Sequence, residues 1–294
     1  MRHFLFIPHL KIHNANAMSS PYTIGFPAMT AWLGAVHALQ RKLKQQGCDL
    51  CLNKVAVSCH DFNLQTYKGR GDFVHSIVST ANPLDKDGNR PAFIEEARCH
   101  LEVSLLVEIE SSSKRQRDQL LEIVPSIVAS MKFASGDVLS VKNCSILDFN
   151  DEEDQDKELR PILNKLMLGH VLIERRDLVI QSMKEGKDAL DSILDYLKVT
   201  HSSTQDEDGK VTWTSKRKAQ GWLVPIAVGF QGISELRHAK NQRDVNTPHR
   251  FAESVLTLGE FVMPYRIESI DQLLWQYHVD LENNLYLCQN QNTH

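Results

Sequence analysis

Polar and turn-forming side chains interrupt the first apolar run of the chain, in the stretch IHNANAMSSPYTIGFP at 12–27. Asn14, Asn16, Ser19 and Ser20 carry amide and hydroxyl groups that can donate and accept hydrogen bonds. The prolines and the glycine of the stretch shape a backbone that can lie close to a ligand. Because such groups suit the sugars and base edges of a nucleic acid, we predict that this loop contacts one.

Positive charge gathers between 210 and 250, although the whole chain carries a net charge of -4. This basic segment holds eight Lys and Arg residues and two acidic residues, an excess of six positive charges. Contacts of Lys and Arg with phosphates release condensed counterions and so provide affinity for nucleic acids. The composition therefore excludes a protein that is basic over its whole surface and permits a local RNA-binding face; an ordinary solvated surface is the alternative.

Cysteines and histidines, which could bind a metal or act in catalysis, are numerous but do not occur at the spacings typical of such sites. Cys48 and Cys51 have no second spaced pair among the six cysteines, so we predict reduced thiols, no zinc site, no disulfide framework and no cofactor. Thirteen histidines could act as acids or bases, yet none belongs to a metal-binding signature of the H-E-x-x-H kind. His37 lies in an otherwise apolar helical pattern, which favours a hydrogen-bonded core position.

The elements that would position the loop follow the order strand, helix, strand, strand, helix, strand. Apolar residues at periods of two and of about 3.6 predict strands at 4–12, 52–62, 99–110 and 137–147 and helices at 28–46 and 114–132. Asn-Pro and Asp-Gly turn signals predict a protruding hairpin at 68–98. This order is typical of an α+β domain of the ferredoxin-like or RRM-like kind, which we place at 1–150.

The second half of the chain, 151–294, is predicted as a mixed, partly helical C-terminal region. It begins with an acidic stretch, continues with a helical insert at about 158–198 and a mobile loop at 200–210, and then reaches the basic segment. No apolar run is long enough to cross a bilayer, so we expect a soluble, cytoplasmic protein without a membrane partner.

Four segments of the chain resemble the second subunit of the Csy complex, the type I-F CRISPR surveillance complex (Cascade), a RAMP protein of the Cas-five group. They lie at 12–41 (IHNANAMSSPYTIGFP with VHALQR), 82–106 (NPLDKDGNRPAFIEEARCHLEVSLL), 221–230 (GWLVPIAVGF) and 247–278 (TPHRFAESVLTLGEFVMPYRIESIDQLLWQYH). The segments keep their order and cover most of the chain. The acidic and helical part at 148–208 resembles the family least.

The resemblance implies an RRM-like RAMP domain with a hairpin thumb, which binds and caps the 5′ handle of the guide RNA (crRNA). It further implies that the chain joins the large subunit to the backbone subunits in antiviral defence. The guide is processed by another subunit in that family, so the chain is expected not to be an enzyme. Contact with target double-stranded DNA is expected to be indirect, since base pairing with the guide reads the target.

The resemblance also gives seven candidate RNA-binding residues: Asn14, Asn16, Ser19 and Ser20 in the loop, Arg98 and His100 beside the hairpin, and Arg250 in the last segment. For the two arginines, structural ion pairs with Glu95 or Glu253 are the alternative. Trp213, Trp222 and Trp275 are expected to expose apolar surface to partners. The alternative function is a guide-processing endoribonuclease of the same fold, in which His37 or His60 would act as acid or base.

Overall fold

The computed structural model describes residues 1–78, 84–90, 96–110, 112–150, 155–240, 242 and 244–290, of which 155 and 156 are described by their backbone. The first half contains helices α1 (Met29–Gln45) and α2 (Lys114–Ala129). Its strands are β1 (Arg2–Asn16), β2 (Met18–Ser20), β3 (Thr23–Ile24), β4 (Cys51–Leu64), β5 (Thr66–Tyr67), β6 (Ser76–Ile77), β7 (Arg98–Glu110), β8 (Lys132–Phe133), β9 (Gly136–Ser140) and β10 (Ser145–Phe149).

The second half contains helices α3 (Gln155–Leu166), α4 (Arg176–Lys184) and α5 (Ala189–Leu197), and short 3-10 turns at Pro264–Arg266 and Ile270–Gln272. Its strands are β11 (His170–Glu174), β12 (Thr200–Gln205), β13 (Val211–Lys216), β14 (Trp222–Gly232), β15 (Ala252–Val262), β16 (Gln276–Asp280) and β17 (Leu285–Gln289). No helix within the described ranges is both long and apolar enough to span a membrane.

One antiparallel sheet of eleven strands includes strands from both halves. Its order is β16-β17-β14-β15-β11-β4-β7-β1-β9-β8. Strand β10 pairs with the first part of β1, from Arg2 to Phe6. The mixed α+β class is therefore confirmed. The four predicted strands of the first half lie side by side as β4-β7-β1-β9, so the first strand of the chain is held between the third and the fourth.

The helices that cross this part of the sheet form where the sequence predicts them. In α1 the apolar residues at helical spacing, Trp32, Val36, Leu39 and Leu43, are all buried against the sheet. A capping box at the start of α2 pairs Ser113 with Gln116, which satisfies two backbone donors at that end. Both helices pack on one face of the sheet, in the larger apolar core.

A second, smaller core covers part of the opposite face. Helix α3 and the 3-10 turns pack there on Phe4, Phe6, Ala56 and Leu106, which alternate with residues of the larger core along their strands. The rest of this face, along the ends of β1 and β4 and the start of β7, carries polar side chains. In the first half of the sheet, both faces are thus covered near Phe4, where β1 begins, and one face is open near Asn16, where β1 ends.

Several expectations for single elements are wrong. The predicted strand at 137–147 is divided into β9 and β10, which both pair with β1 but at different positions. The helical insert contains a strand, β11, and the predicted loop at 200–210 is half of the β12–β13 hairpin. Trp275 is fully buried, with its indole N–H donated to the carbonyl of Leu172 at 2.8 Å, whereas Trp213 and Trp222 are exposed as expected.

The predicted hairpin at 68–98 is described only in parts. A short ladder pairs Thr66, two residues before the predicted segment, with Ile77, which lies inside it. The Asp-Gly signal forms a tight turn in which the Asp85 carboxylate accepts from the backbone N–H groups of Asp87 and Asn89. Residues 79–83 and 91–95 of the arms lie outside the described residues, so the hairpin as a whole remains a prediction.

Candidate RNA-binding site

Two bulges in β1 set the geometry of the candidate loop. The register between β1 and β7 shifts between Ile7 and Leu10 and again between Ile12 and Ala15. His9 and Asn14 lie in these bulges with positive φ values of 49° and 59°. A left-handed backbone is uncommon for residues other than glycine, and Asn tolerates it better than most. The bulges turn side chains of β1 toward the open face of the sheet.

Four of the seven candidates meet where β1 ends beside the start of β7. Asn16 pairs with Arg98 in the ladder, and the backbone N–H of Asn14 donates to Nδ1 of His100 at 3.0 Å. Asn14 is exposed, so its amide is available to a ligand. These contacts place Asn14, Asn16, Arg98 and His100 at one position on the sheet.

The other polar groups of the loop are engaged in holding the loop together. The Asn16 amide both accepts from and donates to the backbone of Met18. The hydroxyls of Ser19 and Ser20 lie 2.9 Å and 2.8 Å from that of Thr23, and Ser20 is buried. These three side chains stabilise the β2–β3 turn, as side chains of Asn and Ser commonly do.

The two candidate arginines differ in their surroundings. Arg98 forms an ion pair with Glu96, the neighbour of the expected partner Glu95, which lies outside the described residues. Arg250 donates a hydrogen bond to the side chain of Asn284 before β17 and not to Glu253. Arg250 lies just before β15, which is four strands away from β1 in the sheet, and the structure does not bring it into hydrogen-bond contact with the other six candidates.

Two histidines that the sequence analysis did not select, His9 and His13, lie next to this position. The rings of His13 and His100 are stacked, with centroids 4.2 Å apart and an angle of 13° between planes. The rings of His9 and His60 form a second stack, with centroids 4.4 Å apart. Alternation of polar and apolar residues in PHLKIHN and in CHLEVS was the available signal, because it places His9, His13 and His100 on one face.

The second stack is fixed by hydrogen bonds on the same face. His9 Nδ1 lies 2.7 Å from a carboxylate oxygen of Glu102, and His60 Nε2 lies 2.7 Å from the hydroxyl of Ser104. The other ring nitrogen of His60 is buried without a hydrogen-bond partner among the described residues. Gly169 leaves the space for this ring, since a Cβ there would lie 2.9 Å from His60 Nδ1.

Burial and a neighbouring ring favour the neutral form of two of these imidazoles, His60 and His100. Burial, together with the neighbouring His9, lowers the pKa of His60 below its ordinary value. Burial and the neighbouring His13 lower the pKa of His100 in the same way. A neutral imidazole offers a flat ring with one donor and one acceptor nitrogen, which suits stacking and hydrogen bonding to a nucleobase.

The structure gives no support for a metal centre in the part of the chain that it describes. No group of three or more His, Cys, Asp or Glu side chains there could hold a metal ion. All six cysteines are free thiols, including Cys48 and Cys51. The prediction that His37 lies in the core is wrong, because this residue is on the exposed side of α1.

Comparison with known proteins identifies the family. A family model described as CRISPR-associated protein (Cas_Csy2) matches residues 5–288. The chain is also 33% identical, over 307 aligned residues, to the CRISPR-associated protein Csy2 of Pseudomonas aeruginosa strain UCBPP-PA14, and the alignment covers 96% of this chain and 93% of that protein. Both matches cover nearly the whole chain. The chain belongs to the Csy2 family of CRISPR-associated proteins.

Proposed function

We propose that this chain is a non-catalytic subunit of a type I-F CRISPR surveillance complex, in which it binds and caps the 5′ handle of the guide RNA. It joins the large subunit to the backbone subunits, acts in the cytoplasm and meets target DNA through the guide. The observation that carries the proposal is the family match over residues 5–288. The exposed Asn14, beside Arg98 and His100, supplies a place on the sheet where RNA can be held.

The fold of the first half supports the same proposal. Its four main strands lie in the order second, third, first, fourth, with α1 and α2 on one face. This is the strand order of a ferredoxin-like domain, and we assign the first half to the RRM-like RAMP class on that basis. The turn at Asp85 to Asn89 is then the tip of the thumb that reaches over RNA or a neighbouring subunit.

Handle binding is tested with the chain co-purified with its large subunit. Fluorescence anisotropy compares the handle RNA with a scrambled RNA of equal length over a range of salt concentrations. We expect tight binding of the handle that weakens with salt, because phosphate contacts release counterions. Equal affinity for both RNAs would show that the chain does not recognise the handle.

Capping is tested on the assembled complex. We expect that the guide resists a 5′-to-3′ exonuclease when the chain is present and is shortened when the complex is expressed without it. A catalytically inactive exonuclease is the control for displacement of the guide. A guide that is equally resistant without the chain would contradict the capping role.

The endoribonuclease alternative is favoured by one observation, the pair of His9 and Glu102 with the His60 ring stacked on it. A histidine held by a carboxylate is a common acid-base arrangement. Incubation of the chain with repeat RNA in EDTA distinguishes the two functions. We expect no cleavage; metal-independent cleavage that His60→Ala abolishes and His37→Ala preserves would replace the proposal with this alternative.

A further inference from the structure

The open half of the second sheet face continues into a groove. The groove has a volume of about 820 Å³ and lies between β1, the β9–β10 connection and the end of α3. His9 forms part of its wall, so the groove and the His9–His60 stack share a residue. From there the face passes Lys11 to the His13–His100 stack and the exposed Asn14. Polar groups thus form one continuous strip from the groove to the candidate loop.

The charge of the groove suits a polyanion. Lys142 and Lys165 line it, both are exposed, and no carboxylate is among its lining residues. Asn143, Ser145 and Asn164 add neutral groups that can form hydrogen bonds. The volume lies in the range of sites that hold small organic molecules, so it can accept a nucleotide.

The charge changes along the strip from the groove to the stacks. Glu102 lies between the two stacks, but its carboxylate is engaged by His9 and by Lys11. Burial alone would raise the pKa of this carboxyl. The hydrogen bond with His9 and the charge of Lys11 outweigh burial, so the pKa lies below its ordinary value. The ammonium of Lys11 offsets the acidic charge of Glu102, so the outer part of the strip presents the flat rings of the His13–His100 stack. Rings of this kind stack on bases without regard to their sequence.

We propose that this strip is a second RNA-binding track, in which Lys142 and Lys165 contact phosphates of single-stranded RNA and the His13–His100 stack supports a base. The inference rests on the proposed function, because the RNA that reaches the track is the guide that the candidate loop holds. The track extends the site from the end of β1 back along the sheet to α3. The sheet face outside it is closed by Phe4, Phe6 and the helix that covers them.

The stacking part of the track is tested with ring-removing and ring-preserving variants. His13→Ala with His100→Ala removes both rings, whereas His13→Phe with His100→Phe keeps two stacking surfaces and loses the same hydrogen bond from Asn14. The probe is handle RNA with 2-aminopurine at single positions, bound by the chain co-purified with its large subunit. We expect the alanine pair to weaken binding at least about fivefold and to restore 2-aminopurine fluorescence at one position, with an unchanged salt slope. The phenylalanine pair should bind within about twofold of wild type, since it keeps the rings.

The phosphate part of the track is tested with Lys142→Ala and Lys165→Ala together. Each lost contact with single-stranded RNA should reduce the slope of log affinity against log salt by about 0.7. His278→Ala, on the outermost strand β16, is the control and should change neither the affinity for the RNA nor this slope. Melting temperatures of all variants show that they are folded.

The outcomes separate this inference from the function on which it rests. Wild-type affinity and fluorescence in the alanine pair, with normal handle recognition, would overturn the track and leave the proposed function standing. Loss of the large subunit from the lysine variant, without a change in RNA affinity, would show that the groove binds an acidic protein surface and would also overturn it. Absence of handle binding by the wild-type chain would overturn both.

Discussion

At the scale of single residues, the structure separates groups that can meet a ligand from groups that hold the loop. Asn14 is exposed and has a left-handed backbone conformation. Both polar atoms of the Asn16 side chain, in contrast, form hydrogen bonds with the backbone of Met18. The sequence presents the two residues as equivalent, because Asn is favoured both in turns and in contacts with RNA. Their different roles follow from the second bulge in β1, which no local pattern reveals.

A pair of substitutions tests this separation. Asn14→Gly removes the side-chain amide and places at this position a residue that readily accepts a positive φ, so we expect an unchanged melting temperature. Handle binding should weaken by up to about tenfold, because one hydrogen bond is lost. Asn16→Ala removes two hydrogen bonds and should cost about 1 to 3 kcal/mol of folding free energy, with unchanged affinity per folded molecule. Thermal melting and anisotropy on the same preparations check both. The reverse assignment of effects would show that Asn16 contacts the RNA.

A second prediction at this scale concerns pH. Because the pKa of folded His60 lies below its ordinary value of 6.5, the folded state binds a proton less readily than the unfolded chain. The contribution of the neutral ring to stability is therefore complete above about pH 6.5 and is lost as the pH falls toward the lowered pKa. We expect the melting temperature to fall between pH 7.5 and pH 5.5, and to fall less in His60→Gln. An equal fall in both proteins would assign the effect to other groups, of which His100 is the first to examine.

At the scale of elements, the glycines of β14 and α1 have opposite roles. A Cβ at Gly229, in the bulge of β14, would clash with the carbonyl oxygen of Tyr286 on β17. A Cβ at Gly34, inside α1, meets no atom within 4 Å. Tertiary contact makes the first glycine necessary, and nothing in the helix requires the second.

Alanine substitutions are expected to move stability in opposite directions. Gly229→Ala should destabilise the protein by about 1 to 3 kcal/mol, since β17 must move away to avoid the clash. Gly34→Ala should stabilise it by roughly 0.5 to 1 kcal/mol, because alanine favours the helix. Urea denaturation with a common slope measures both changes. A neutral Gly229→Ala would show that β17 does not hold its place beside β14.

The elements also show what the sequence can predict. Strands β1, β4 and β7 and helix α1 were predicted because long runs with one period bury one side, as in Leu101, Val103, Leu105 and Val107. Strand β11 was missed because five residues between helices give too short a pattern. Its place in the sheet is decided by pairing with β15, whose partner residues lie 85 to 91 positions later in the chain, from Glu174 with Gly259 to Val171 with Val262. The buried position of Trp275 depends likewise on a distant partner, the carbonyl of Leu172. Local periodicity finds elements, and long-range pairing decides where short ones go.

At the scale of the whole molecule, the β12–β13 hairpin stands apart from both cores. Every residue of its two strands is exposed, and Trp213 is 70% exposed. Aromatic side chains in such positions are enriched at protein interfaces. In the proposed complex this hairpin is a candidate contact for the large subunit.

Substitution of Trp213 tests that contact. Trp213→Ser should leave the melting temperature of the chain unchanged, because the side chain buries little area on folding. It should reduce the amount of large subunit that co-purifies with the chain and improve the solubility of the chain expressed alone. Tyr67→Ser, at a side chain that is 65% exposed, is the matched control and should change neither the amount of co-purified large subunit nor the solubility. Full co-purification of Trp213→Ser would place the contact elsewhere.

The narrow junction in the middle of the sheet has a consequence for how the molecule unfolds. Strand β11 meets β4 through His170 with Cys59 and Val171 with Ser58, and Trp275 adds a bridge to Val55 beside them. Few backbone hydrogen bonds therefore couple the strands before β11 to those after it, whereas β1 and β7 share a long ladder. Amide hydrogen exchange under native conditions should divide at this junction, with one slow cooperative unit built on β1, β4 and β7 and another on β14 and β15. Trp275→Phe, which leaves the carbonyl of Leu172 without its donor, should accelerate exchange at the junction before it affects either unit.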